Sequence, residues 1–166
     1  MKTQALAAAI MSTGLPAMAD ISVTFIEGAP KDRFVIENSA CATGPMKLTV
    51  DLHPSAGALI FDVTGNGAGV EVFQPFELVS GGSLVTRAPE VLDGDQVLSL
   101  NLAGLGPDAV VSFTIDLDDT INAREITVAG SELTGAKVVL EGDGESEEGT
   151  FGAKPSLTIP WTDCKS

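Results

Sequence analysis

Apolar and polar residues alternate along most of this chain beyond residue 20. In Met46–Leu52, Met46, Leu48, Val50 and Leu52 fall on one side, and Lys47, Thr49 and Asp51 on the other. Gln96–Leu102 repeats the pattern, with Leu98, Leu100 and Leu102 set against Val97, Ser99 and Asn101. In Ala109–Leu117 the expected inward residues are Val111, Phe113, Ile115 and Leu117, and the outward ones Ser112, Thr114 and Asp116. A period of two marks a strand with one buried and one wet face. Residues 21–27, 33–38, 58–64, 70–79, 136–141 and 155–159 read the same way. Turn signals separate them, among them Gly65-Asn66-Gly67, Gly81-Gly82 and Asp93-Gly94-Asp95. No helical stripe of apolar positions is sustained anywhere after residue 20. Short strands at intervals of about ten residues predict a single all-β domain, an antiparallel β-sandwich of jelly-roll or immunoglobulin-like order. The Gly- and acid-rich segment Glu141–Gly152 reads as a mobile, solvated hairpin loop.

The start of the chain has a different character. Lys2, the apolar run Ala5–Met11 and the small-residue site Ala17-Met18-Ala19 form the three-part pattern of a signal peptide over residues 1–19, with cleavage expected before Asp20. The apolar run is far shorter than the roughly 20 residues that span a bilayer. Residues 20–166 are therefore expected to form an exported domain, secreted or periplasmic, without membrane insertion. In an oxidising compartment the two cysteines, Cys41 and Cys164, read as one disulfide. On the chain-entropy view, closing so long a loop contributes at most about 5 kcal/mol.

Charge then narrows the partners. The whole chain carries a net charge of −14, and loss of Lys2 with the leader makes the mature domain one unit more acidic. Such a surface repels nucleic acid and anionic membranes and favours cations. The chain has no tyrosine and a single tryptophan, Trp161, so the flat aromatic platform typical of sugar-binding surfaces is scarce. His53 is the only histidine, and no G-x-S-x-G elbow or P-loop accompanies it. The expectation is a protein that is not an enzyme, with a carboxylate-based hydrolase as the remaining catalytic alternative.

The densest chemistry lies in Asp116-Leu117-Asp118-Asp119-Thr120, with Asn122 and Glu125 close behind. Asp116 and Asp118 project from one face of a strand end, about 7 Å apart at ordinary strand rise. Carboxylates so close repel unless a cation compensates. Calcium suits them because it takes six to eight oxygen ligands, turn carbonyls included. The candidate ligands are Asp116, Asp118, Asp119 and Asn122. The spacing departs from the EF-hand, since Ile121 stands where its glycine belongs. The competing reading is a solvated acidic strand end partly paired with Arg124. Asp93-Gly94-Asp95 reads as a hairpin turn, and Asp62, Asn66 and Glu71 flank the Gly65-Asn66-Gly67 turn and could meet in space; both groups read as structural rather than ligating.

Three stretches, Val23–Asn38 (VTFIEGAPKDRFVIEN), Leu59–Val79 (LIFDVTGNGAGVEVFQPFELV) and Phe113–Val138 (FTIDLDDTINAREITVAGSELTGAKV), resemble the bacterial aggregation factor core proteins, a family of short exported proteins named after the core of a sponge aggregation factor. With the leader and the two cysteines, the resemblance spans the whole chain. It implies adhesion, calcium and an extracellular glycan or protein partner, and it carries no site onto numbered positions. Together these readings predict an exported, non-enzymatic binding or adhesion module, with calcium as its candidate cofactor. The alternative is a ligand-free structural protein whose acids only keep it in solution.

Overall fold

The computed structural model describes residues 19–69, 73–121, 127–162 and 164. Residues 1–18, which hold nearly all of the expected leader, lie outside that set, as do Glu71, Asn122, Arg124 and Glu125. The strands are β1 (Ala19–Ile26), β2 (Asp32–Asn38), β3 (Met46–Asp51), β4 (Ile60–Asp62), β5 (Glu77–Ser80), β6 (Val85–Arg87), β7 (Val97–Leu102), β8 (Val110–Asp118), β9 (Lys137–Gly142), β10 (Glu145–Thr150) and β11 (Ser156–Trp161). A single 3-10 turn, Gly82–Leu84, is the only helical element among the described residues.

The strands form two antiparallel sheets packed face to face, the expected β-sandwich. One sheet runs β11-β1-β2-β8-β4, and β5 also pairs with β8. The other runs β10-β9-β3-β7-β6. Alternation along β2, β3, β7 and β9 turns one side of each into the shared core. Leu48, Val50, Leu98, Leu100, Val138 and Leu140 come from the second sheet, and Ile21, Val23, Phe34, Ile36, Phe113 and Ile115 from the first. Phenylalanines cross the first sheet as a ladder. Ring centroids are 5.3 Å apart for Phe25–Phe34, 5.2 Å for Phe34–Phe113 and 5.1 Å for Phe76–Phe113. Trp161 is fully buried in the same core, which removes it as a sugar platform.

The disulfide Cys41–Cys164 is formed, with its Cα atoms 5.6 Å apart, and it holds the last described residue to the loop after β2. Buried polar groups set that loop in place. Asn38 Nδ2 reaches the carbonyls of Cys41, Leu105 and Gly106, and Thr43 Oγ1 accepts from the Leu105 amide. Backbone pairing between Thr43 and Cys164 extends the contact.

Three expectations need correction. The acidic segment after Glu141 forms a regular hairpin rather than a loop: β10 pairs with β9 from Glu145↔Gly142 to Thr150↔Lys137, and only the Asp143-Gly144 turn is irregular. Backbone pairing needs no apolar side chain, so the polar composition misled. The run over 70–79 keeps only Glu77–Ser80 as strand among its described residues, and the run over 58–64 only Ile60–Asp62. Finally, β8 has no wet face. Ser112, Thr114 and Asp116 are buried along with its apolar residues. β8 is flanked by β2 on one side and by β4 and β5 on the other, and the Lys31–Glu77 ion pair joins its two flanks.

Candidate functional site

The end of β8 far from the disulfide gathers acids from several elements. Pairing sets Asp62 of β4 opposite Asp116 of β8, and Ile60 opposite Asp118. Directly opposed residues of an antiparallel pair share a face with Cβ atoms about 5 Å apart, and the diagonal neighbour lies within side-chain reach. Asp62, Asp116 and Asp118 therefore crowd one face, where their exposures are 0%, 3% and 2%. Asp32, at the start of β2 opposite Ile115, is buried at the same end. Asp119 is buried one residue beyond β8. There the chain is tied down by the Thr120 hydroxyl donating to the Ala58 carbonyl.

Asp93 approaches from the turn before β7 and shapes what lies over this face. Its Oδ1 accepts from the amides of Val63 and Thr64 at 3.0 Å each, and its Oδ2 accepts from the Ala68 amide. Burial works against its charge, yet the amides of Ala68, Val63 and Thr64 outweigh that and hold the carboxyl below its ordinary value. A capped, ionised Asp93 thus organises the Gly65-Asn66-Gly67 turn. Gly67 has no room for a side chain, because a Cβ there would run into the Asp93 carboxylate.

The other acids are pushed the opposite way. Burial, then the Asp93 and Asp118 carboxylates, raise Asp62 to about 7. Burial, then the charges of Asp118, Asp32 and Asp62, raise Asp116 to about 8. Burial raises Asp32 to about 7, although the backbone of Gly28 and Leu117 hydrogen-bonds to it. Both carboxylate oxygens of Asp62 are buried without a hydrogen-bond partner. A buried acid with no donor is costly unless it is neutralised.

Beside this cluster opens a cavity of about 680 Å³. Val63 and Thr64, whose amides bind Asp93, line one side, with Phe76, Pro89, Val91 and Leu92 around it. Leu92 is 71% exposed and Phe73 is 39% exposed. His53 lies elsewhere, exposed, with Nδ1 2.7 Å from Asp51 Oδ1 of its own strand end.

Of the four ligands expected for calcium, Asp116 and Asp118 share a face, Asp119 follows beyond the strand end, and Asn122 lies outside the described residues. Among the described residues no group of three or more His, Cys, Asp or Glu side chains is arranged to hold a metal ion. Sequence reasoning missed Asp62 as a member of the cluster and Asp93 as its organiser, having read Asp62 as flanking one turn and Asp93 as part of another. The signal for Asp62 was its place inside an apolar strand run, Leu59-Ile60-Phe61-Asp62-Val63, where an acid must find compensation.

Comparison with known proteins is silent. No protein-family profile, curated protein or solved structure matches this chain. No helix of the described residues is long and apolar enough to cross a membrane.

Proposed function

We propose that this chain is an exported, non-enzymatic binding module of the adhesion type, calcium-dependent, with its recognition surface at the aspartate-rich end of the sandwich. One observation carries the reading: the Val63–Thr64 turn, anchored by Asp93 above the buried aspartates, also lines the apolar cavity. An ion that settles the acids would thereby settle one wall of a binding surface. The resemblance to the aggregation factor core proteins supports adhesion and calcium, and the disulfide suits an oxidising, extracytoplasmic setting. Exposed Leu92 beside Phe76, Pro89 and Val91 favours the apolar part of a protein partner over a glycan.

The test uses the mature, disulfide-intact protein coupled to beads and offered surface-bound extracellular proteins and glycans, in millimolar calcium or in chelator. Adhesion in calcium that is lost in chelator, and weakened by Leu92→Glu without a change in melting, supports the reading. Absence of adhesion in both conditions leaves the ligand-free structural protein in its place.

A further inference from the structure

We infer that the cation site of this protein is built across two strands, by Asp62 of β4 with Asp116 and Asp118 of β8, beneath Gly69. This deepens the calcium reading proposed above by naming its ligands, and it replaces the local set that runs on from Asp118 to Asp119 and Asn122.

Two independent observations point to a ligand there. The first is Asp62, whose two carboxylate oxygens are buried without any hydrogen-bond partner. Ordinary buried carboxylates find amides or basic side chains. Asp93, a short distance away, shows what that looks like, with three backbone amides on its oxygens. The polar groups acting on Asp62 are instead the carboxylates of Asp93 and Asp118. The second is Gly69. A Cβ built on it would collide with Asp62 Oδ2 and Asp118 Oδ2 together. The Asp62 and Asp118 oxygens, from different strands, therefore converge beside the Gly69 backbone, which only a residue without a side chain can bring so close.

Charge and chemistry choose the occupant. Among the described residues, the further charges acting on these acids are negative, Asp32 of β2 on Asp116 and Asp93, from the turn before β7, on Asp62. Lys31, at the edge of this face, is engaged by Glu77 at 2.5 Å. Hard oxygen donors of this kind without imidazole or thiolate select calcium over transition metals. Binding there joins β4 to β8 and fixes the Gly69 end of the turn that Asp93 holds from Val63 to Ala68.

Calorimetric titration of calcium chloride into chelator-stripped mature protein tests the site, using wild type, Asp62→Asn, Gly69→Ala and Asp119→Asn. The expected result is one calcium per wild-type chain, affinity at least tenfold weaker in Asp62→Asn and Gly69→Ala, and little change in Asp119→Asn. Asp62→Asn removes a buried charge, so without metal it should melt at or above wild type, which separates lost binding from lost folding. Wild-type binding that survives Asp62→Asn but is lost in Asp119→Asn overturns this site while leaving the calcium reading intact. Absence of calcium binding by wild type overturns both. Calcium bound as expected but without calcium-dependent adhesion overturns the functional reading and leaves the site standing.

Discussion

Asp62 and Asp116 stand directly opposite one another on neighbouring antiparallel strands, and both are buried. Like charges opposed across a sheet destabilise it even on a surface. In a buried setting the cost is larger, and each carboxyl is held above its ordinary range by burial first and by neighbouring acids second. The pairing makes this end of the sandwich responsive to whatever neutralises it.

Asp62→Asn should stabilise the calcium-free protein by about 1–3 kcal/mol, since it removes an unpartnered buried charge at nearly constant volume. For a domain of this size that corresponds to a melting increase of roughly 2–4 °C per kcal/mol. Thermal melts in chelator at neutral pH check it. A lower melting temperature for the variant would mean that Asp62 is compensated by some other route.

Stability of the chelator-treated protein should fall as pH rises from 4 to 7. Asp32 has a folded pKa of about 7 against an ordinary 3.8, chiefly through burial. Below the lower value both states are protonated and no penalty exists. Between the two the unfolded chain loses its proton first, so rising pH favours unfolding until the folded pKa is passed. At 1.36 kcal/mol per pKa unit the contribution is at most about 4 kcal/mol. Denaturant midpoints across this range should show the decline, and Asp32→Asn should make it shallower, with Asp62 and Asp116 supplying the remainder.

Asp93→Ala should loosen the turn over the cluster while sparing the core. It withdraws the acceptor from the Val63, Thr64 and Ala68 amides. The Thr64 and Ala68 amides are exposed and can turn to water, so the loss is that of bonds to a charged acceptor, about 1.5–3 kcal/mol. Hydrogen exchange should quicken at these three amides, while Leu48, Leu100 and Phe113 in the sheets keep their protection.

Replacing both cysteines with serine should lower stability by about 2–5 kcal/mol. The bridge spans 123 positions and holds Cys164 to the loop after β2. Calcium affinity should be unchanged, because the disulfide and the aspartates occupy opposite ends of β2 and β8. Melting temperature and calorimetry on the same double variant check both statements.

Phe113→Ala should cost about 3–5 kcal/mol, the range for truncating a buried aromatic. Phe113 is fully buried and touches two rings of the ladder, Phe34 and Phe76. A chemical denaturation series gives the value directly. A loss below about 1 kcal/mol would mean that the sheets close over the cavity far more easily than their packing implies.

Much of the fold was legible in the residues. Period-two alternation in Met46–Leu52, Gln96–Leu102 and Ala109–Leu117 marks β3, β7 and β8 to within a residue at each end. Alternation failed where no side-chain signal exists. The pairing of β10 rests on backbone bonds beneath an acidic sequence, and β6 is only three residues long. The site was half legible. Asp116 and Asp118 are two residues apart and so share a face on any strand, but Asp62 reaches them only through strand pairing.

By itself the sequence determined the class of fold, the core residues of the long strands and the cysteine pair, because these follow from local periodicity and from a count of two. Tertiary structure decided that Ser112, Thr114 and Asp116 are buried, that Asp62 faces Asp116, and that Gly69 sits where two carboxylates meet. The reason is physical. Alternation says which residues share a side of a strand, but the cost of a charge depends on what covers that side, and the cover comes from elements distant in the chain.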